Sequence, residues 1–235
     1  AWDDSAADYD SYFAPRLLPW CDAAIDALIG AELPLPEGPV LVPCCGPGRE
    51  LLCVADALPG REVIGLDFSA EMVRLARARC RDRASISVVC ADAAALAETW
   101  RGRAAAVLSC FGLQLLPAPE QALAGWAAAL APRGLLSVVF WPSQVEREGP
   151  FAVLRELLSE EGPPKEARWE RGLHEALRGA GAAVLRDERA ETEMRHEDAT
   201  ALWRELARSA VLRLAAGDRG EAFLASLGER FLHRL

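Results

Sequence analysis

The 235-residue sequence predicts an α/β fold, a doubly wound and mostly parallel sheet with helices on both faces. Three observations point to it. Short apolar runs of strand length alternate with segments of helical periodicity from residue 40 to residue 141. Those runs are apolar almost throughout, as strands are when both faces of a sheet are covered. The first run enters a turn holding Gly46 and Gly48, and the second ends on an acid, Asp67.

Residues 9–29 carry apolar side chains at helical spacing, with Pro15 and Pro19 expected to divide the helix. Pro39-Val40-Leu41-Val42-Pro43 is extended and leads into Cys44-Cys45-Gly46-Pro47-Gly48. Helix 49–58 follows and stops at Pro59-Gly60. Residues 62–67 form the second strand and 70–81 the next helix, with Ser69 as its N-cap. The third strand is 86–90, followed by Asp92 and a short alanine-rich helix. Residues 104–110 give the fourth strand, 120–130 a helix, and 134–141 a fifth, very apolar strand.

After Pro142 the pattern changes. A short apolar helix over 151–158 lies between Gly149-Pro150 and Gly162-Pro163-Pro164. Helix 169–178 ends at Gly179 and Gly181, and 182–186 reads as a sixth strand. Residues 198–235 are helical, broken near Gly217-Asp218-Arg219-Gly220. With 51% hydrophobic residues, the chain suits a single domain over 1–235.

Charge and cysteine usage narrow the function. The balance of 26 Lys+Arg against 35 Asp+Glu gives a formal net charge of -9, which counts against a nucleic-acid partner. The seven cysteines stand in mostly apolar surroundings and are odd in number, so they read as thiols of a reducing compartment. Adjacent Cys44 and Cys45 do not share one tetrahedral ion easily, and no histidine is near, so no metal is expected. No apolar run approaches the roughly 18 residues of a membrane span. Ala1-Trp2-Asp3-Asp4 does not open a signal peptide. Cytoplasmic residence is the simplest expectation, as a monomer or homodimer.

The strand ends carry the chemistry. Gly46 and Gly48 let backbone approach a ligand where a Cβ would collide, and the amides opening the next helix favour an anionic group. Alone, such a loop is an ordinary strand-to-helix turn. Asp67, ending the second strand, suits the two hydroxyls of a ribose, and Phe68 beside it suits an adenine face. Asp92, at the same place after the third strand, can accept from an exocyclic amine. Each acid also has a plain alternative as cap of the helix that follows it.

On these residues the sequence resembles the class I S-adenosylmethionine-dependent methyltransferases, a Rossmann-like family. It is most similar to the small-molecule group that includes ubiquinone/menaquinone-type and natural-product tailoring enzymes. The stretches that match are VLVPCCGPG at 40–48, VIGLDFSAEMV at 63–73, CAD at 90–92, AAVLSCFGLQLLP at 105–117 and LAPRGLLSVVFW at 130–141. The resemblance implies S-adenosyl-L-methionine as cofactor, with Cys44, Gly46 and Gly48 in its loop, Asp67 at ribose and Asp92 at adenine. It further implies that 109–114, including Ser109, Phe111 and Gln114, line the cleft between donor and acceptor. Residues 1–30, with Tyr9, Tyr12 and Arg16, correspond to an N-terminal helical cover, and 142–170 and 197–235 to a lid or added helices. Two departures stand out: the family carries an acid where Val42 stands and a glycine where Cys44 stands. Arg16 is then the candidate for the cofactor's carboxylate end.

The donor's sulfonium already activates its methyl group, so transfer needs closeness and alignment more than an acid-base set. A hydroxyl acceptor of high pKa would want a base, for which Tyr9, Tyr12 and His196 are candidates. His174 and His233 read as surface or packing residues. Phe13, Phe111, Trp141 and Phe151 stand at expected cleft edges, with Gln114 as a neutral polar contact, and point to a small aromatic or conjugated acceptor. Two other readings remain. A nicotinamide oxidoreductase would carry a loop closer to Gly-x-Gly-x-x-Gly, and a catalytically silent relative would bind the cofactor weakly.

Overall fold

The computed structural model describes residues 1–31, 33–161 and 169–235. Gly162-Pro163-Pro164 and the rest of 162–168, within the expected 142–170 lid, lie outside the described residues.

In chain order the elements are α1 (Trp2–Asp8), a π-helical turn (Tyr9–Phe13), α2 (Ala14–Ile29), β1 (Val40–Pro43), α3 (Arg49–Ala57) and β2 (Val63–Asp67). There follow α4 (Ala70–Cys80), β3 (Ile86–Cys90), α5 (Leu96–Trp100), β4 (Ala104–Cys110), α6 (Pro119–Ala129) and β5 (Leu130–Val139). The remainder is α7 (Pro150–Glu160), α8 (Trp169–Gly179), α9 (Ala199–Arg208), α10 (Ala210–Ala216) and α11 (Gly220–Arg234). These fall into two compact units. One is a sheet unit made of Leu17–Phe140 and 169–192, and the other a helical unit made of Ala1–Arg16, 141–161 and Glu193–Leu235.

The sheet unit holds five parallel strands in the order β3-β2-β1-β4-β5. β1 and β4 are buried at every position, and Ala104, Ala105 and Ala106 have no exposed surface. That explains their unbroken apolar character, since no position faces water. β3 is an edge strand and leaves Val89 and Cys90 exposed. α4 starts where expected: Ser69 Oγ accepts from Met72 N at 3.2 Å, and Met72, Val73, Ala76 and Cys80 form its buried face. Leu41, Ile64, Leu66 and Val107 of the strands pack with Leu123 and Trp126 of α6 in one core cluster.

The helical unit has its own core of Leu154, Leu157, Leu202, Leu206, Leu212, Leu227 and Phe231. Ser5 Oγ donates to Arg208 O at 2.9 Å and ties α1 to α9. Exposed pairs of Glu160 and Glu161 with Arg219, Arg230 and Arg234 lie along α7 and α11 and set their alignment more than they add stability.

Four expectations need correction. No sixth strand forms over 182–186: Val184 and Leu185 are exposed, and the charged run after them has no ladder with β5. β5 starts at Leu130, earlier than 134, because Leu130 pairs with Ala104 before a bulge carries the ladder to Ala106 and Leu135. Pro15 falls in the first turn of α2, where its missing N–H costs little. Pro19 stays inside α2, so the prolines do not divide the helix, although one ladder bond is lost. The late helices break at Ser209 as well as at Gly217, with Ser209 Oγ capping α10.

Candidate functional site

The strand order reverses between β1 and β4: the chain goes outward from β1 to β2 and β3, then returns to β1's other side for β4. Ligands of open parallel sheets bind beyond the strand ends at such a reversal. At β1's tip, Cys44 and Gly46 have positive φ angles of 57° and 49°, and Gly48, at 78°, begins α3. A Cβ at Gly48 would lie 2.8 Å from Ala76 Cβ, so conformation and space both demand glycine there. The loop is tied down by Cys45 N donating to Leu66 O at 3.0 Å and by Arg79 donating to Pro47 O.

Asp67 is 7% exposed and joins β2's tip to this loop. Its Oδ2 accepts from Gly46 N at 2.8 Å and its Oδ1 from Ser69 N at 3.0 Å. Both oxygens of the carboxylate thus bond backbone amides, one in the glycine loop and one at the start of α4. Phe68, next along, is 64% exposed, an unusual state for a large apolar ring. Asp92 caps the turn after β3 through Oδ1, which accepts from Ala94 N at 2.8 Å. Trp126 Nε1 holds the same turn by donating to Ala93 O at 2.7 Å.

On β4, Ser109 is wholly buried and its hydroxyl donates to Pro43 O at 3.2 Å, bridging the tips of β1 and β4. Phe111 has a φ of 60° and meets Trp20 edge to face at 6.1 Å. Gly112 packs against Cys44 so closely that a Cβ there would lie 2.4 Å from Cys44 Cβ. Gln114 Nε2 donates to Phe111 O at 2.7 Å, which fixes the amide's orientation. Its Oε1 is buried and has no hydrogen-bond partner among the described residues. Burial and the nearby charges of Asp67, Asp92 and Glu50 push the Cys44 thiol up to about 12. Burial, reinforced by Asp67, likewise pushes the Glu50 carboxyl up to about 7, against the pull of Arg79 and Arg49.

The sheet unit therefore brings together Cys44, Gly46, Gly48, Asp67, Phe68, Asp92, Ser109, Phe111 and Gln114 at the carboxyl ends of β1 to β4. Tyr9, Tyr12, Phe13, Arg16, Trp141, Phe151 and His196 belong to the helical unit. There Tyr12 Oη and His196 Nδ1 are 2.8 Å apart, and the Arg16 guanidinium lies over the Tyr12 ring at 3.8 Å from its centroid. Arg16 also donates to the carbonyls of Tyr12 at 2.7 Å and Arg195 at 3.1 Å, so backbone already occupies much of the group expected to meet a carboxylate. Tyr9 packs between Trp2 and Phe13, and Trp141 stacks on Phe151 at 6.4 Å. His174 pairs with Asp187 at the surface, and His233 is exposed. Sequence reasoning missed Glu50 and the dependence of Gly112 on Cys44. An acid two positions past Gly48 was a signal for the first, whereas the second needs the approach of two strand tips.

The residues present fit a nucleoside with an anionic tail: a positive-φ glycine loop with helix-opening amides, two strand-end carboxylates and an exposed ring between them. Val42 is fully buried and brings no charge, so this loop lacks the acid usual in the resembling family. Among the described residues, no cluster of His, Cys, Asp and Glu is arranged to hold a metal. Nor is any helix long and apolar enough to cross a membrane.

Residues 40–134 match the family described as a methyltransferase domain. No protein of curated function matches the chain in sequence. Among solved structures, the [4+2]-cyclase SpnF is similar with a TM-score of 0.57 and 22% identity, over 90% of this chain and 75% of that one. So is the methyltransferase solved with the Haloferax volcanii Trm112 methyltransferase activator, at 0.57 and 22%, over 85% and 83%. An assigned S-adenosyl-L-methionine-dependent methyltransferase of Methanococcus maripaludis gives 0.50 and 17%, over 74% and 78%. At such identities these likenesses show the fold alone, and the methyltransferase-domain match covers residues 40–134 of the 235.

Proposed function

We propose that the chain, whose residues 40–134 match a methyltransferase domain, is an S-adenosylmethionine-dependent methyltransferase that methylates a small aromatic or conjugated metabolite by in-line displacement. The observation that carries the reading is the row of three adjacent strand tips bearing the glycine loop, Asp67 and Asp92. In this reading the amides after Gly46 and Gly48 hold the cofactor's carboxylate. Asp67, already fixed by Gly46 N and Ser69 N, accepts from both ribose hydroxyls, and Phe68 covers the adenine. Asp92 accepts from the adenine amine with the oxygen that does not cap Ala94.

When bound, S-adenosylmethionine supplies a methyl group on a positively charged sulfur. The protein's task is then alignment and exclusion of water. Ser109 serves it indirectly by holding the β1 and β4 tips at a fixed distance. Phe111 and Gln114 beside the β4 tip offer a flat apolar wall with one polar contact, which suits a conjugated acceptor.

Isothermal titration with S-adenosylhomocysteine tests the cofactor roles. The parent chain is expected to bind it and to ignore NAD. Asp67→Ala is expected to weaken binding by roughly 10- to 100-fold, the worth of hydrogen bonds to a charged group. No binding by the parent chain would end the proposal. The uncharged Val42 favours one second reading, a relative that binds the cofactor without turning over. Affinity for S-adenosylhomocysteine with no methyl transfer to any of a panel of phenols and quinols would select it.

A further inference from the structure

The helical unit holds a polar pair that its fold leaves incomplete. Tyr12 Oη and His196 Nδ1 are bonded at 2.8 Å with their rings stacked 5.8 Å apart, while His196 Nε2 is buried without a partner among the described residues. A buried imidazole nitrogen with nothing to bond costs the full desolvation of that group. The direction of the Tyr12–His196 bond decides what the nitrogen is. A phenol is the better donor and a bare imidazole nitrogen the better acceptor, so Tyr12 O–H donates to Nδ1 and the ring's own proton stays on Nε2.

Nε2–H is therefore a donor with no acceptor among the described residues. Burial and the neighbouring Arg16 charge, opposed by Glu146, hold the His196 pKa below its ordinary value. Burial raises the Tyr12 pKa, so its proton stays in place, with Arg16 and Arg204 opposing Glu205 and Asp198 around it. Arg16, 3.8 Å from the Tyr12 ring centroid, adds positive potential beside the pair. Phe13 meets Tyr12 edge to face at 5.1 Å and supplies an apolar flank.

We infer that the Tyr12–His196 pair is a binding point for an electron-rich oxygen on a flat conjugated ring, a phenolate or conjugated carbonyl, which accepts a hydrogen bond from Nε2–H. Arg16 favours the anionic form. The inference rests on the proposed function only for the conjugated nature of the ligand, and makes no use of the methyl donor.

The test compares 4-nitrophenolate with nitrobenzene, which keeps the nitro group and lacks the phenolate oxygen, on the full chain. The parent is expected to prefer 4-nitrophenolate by about tenfold, the worth of one such bond. Nitrogen-15 NMR should find His196 protonated on Nε2, with that resonance moving on titration. His196→Phe is expected to abolish the preference, and His196→Gln, which keeps a donor, to retain part of it; thermal melts check that both fold. Equal binding of the two probes, no binding of either, a preference surviving in His196→Phe, or a proton found on Nδ1 instead would each overturn the inference. S-adenosylhomocysteine titrations on the same samples separate the two proposals. If that ligand fails to bind while the oxygen preference stands, the methyltransferase reading falls and this one survives.

Discussion

Cys44 and Gly112 act as one unit. Cys44 stands at a positive φ where a glycine would be unstrained, and its side chain takes the space a Cβ at Gly112 would need. Gly112→Ala is expected to destabilise the protein by about 1–3 kcal/mol through overpacking. Cys44→Gly in the same chain should recover most of that loss, as a double-mutant cycle in urea would measure. Additive effects would mean the two positions do not share the space. The places of Asp67 at the tip of β2 and Asp92 just past β3 were legible in sequence because strand ends follow from pattern. Their backbone bonds to Gly46, Ser69 and Ala94 were only partly legible. Capping is local and was foreseen, whereas the Asp67–Gly46 bond spans two strands.

Elements were read best where periodicity was long. β1 to β4 and α4 fall close to their expected bounds, because full burial leaves an unbroken apolar run and Ser69 marks a start. β5 was misread at its start because Leu130-Ala131 continues the apolar pattern of α6, and only pairing with Ala104 turns Leu130 into strand. The absent sixth strand has the opposite cause. Its apolar residues are few, and the charges from Arg186 to Glu191 have no covered face to accompany. α6 also links packing to the site: Trp126 is fully buried and its Nε1 donates to Ala93 O in the turn capped by Asp92. Trp126→Phe leaves that carbonyl unpaired and thins the core. Urea unfolding is expected to give a loss of about 1–3 kcal/mol, and a neutral result would mean the turn is held by other contacts.

For the whole molecule, Glu50 makes stability depend on pH. Its carboxyl is held at about 7 in the fold against an ordinary 4.5, with burial as the main cause. Between those values the folded chain keeps a proton that the unfolded chain has released, so stability falls as pH rises through that window. The loss amounts to at most about 3 kcal/mol. Glu50→Gln is expected to remove this slope in unfolding curves taken across the window, while parallel curves for parent and variant would show the carboxyl to be solvated. The fold itself does not decide the chemistry. SpnF, a [4+2]-cyclase, is similar to this chain in fold, as is a structure solved with a methyltransferase activator, so the fold alone does not fix the reaction.

Of the seven thiols Cys90 is the exposed one, on the outer strand and two positions before Asp92, while the others are buried or half-buried. The chain thus comes with its own attachment point for a maleimide dye, beside the proposed adenine contact. Fluorescence from that dye can follow nucleoside arrival with no cysteine added or removed.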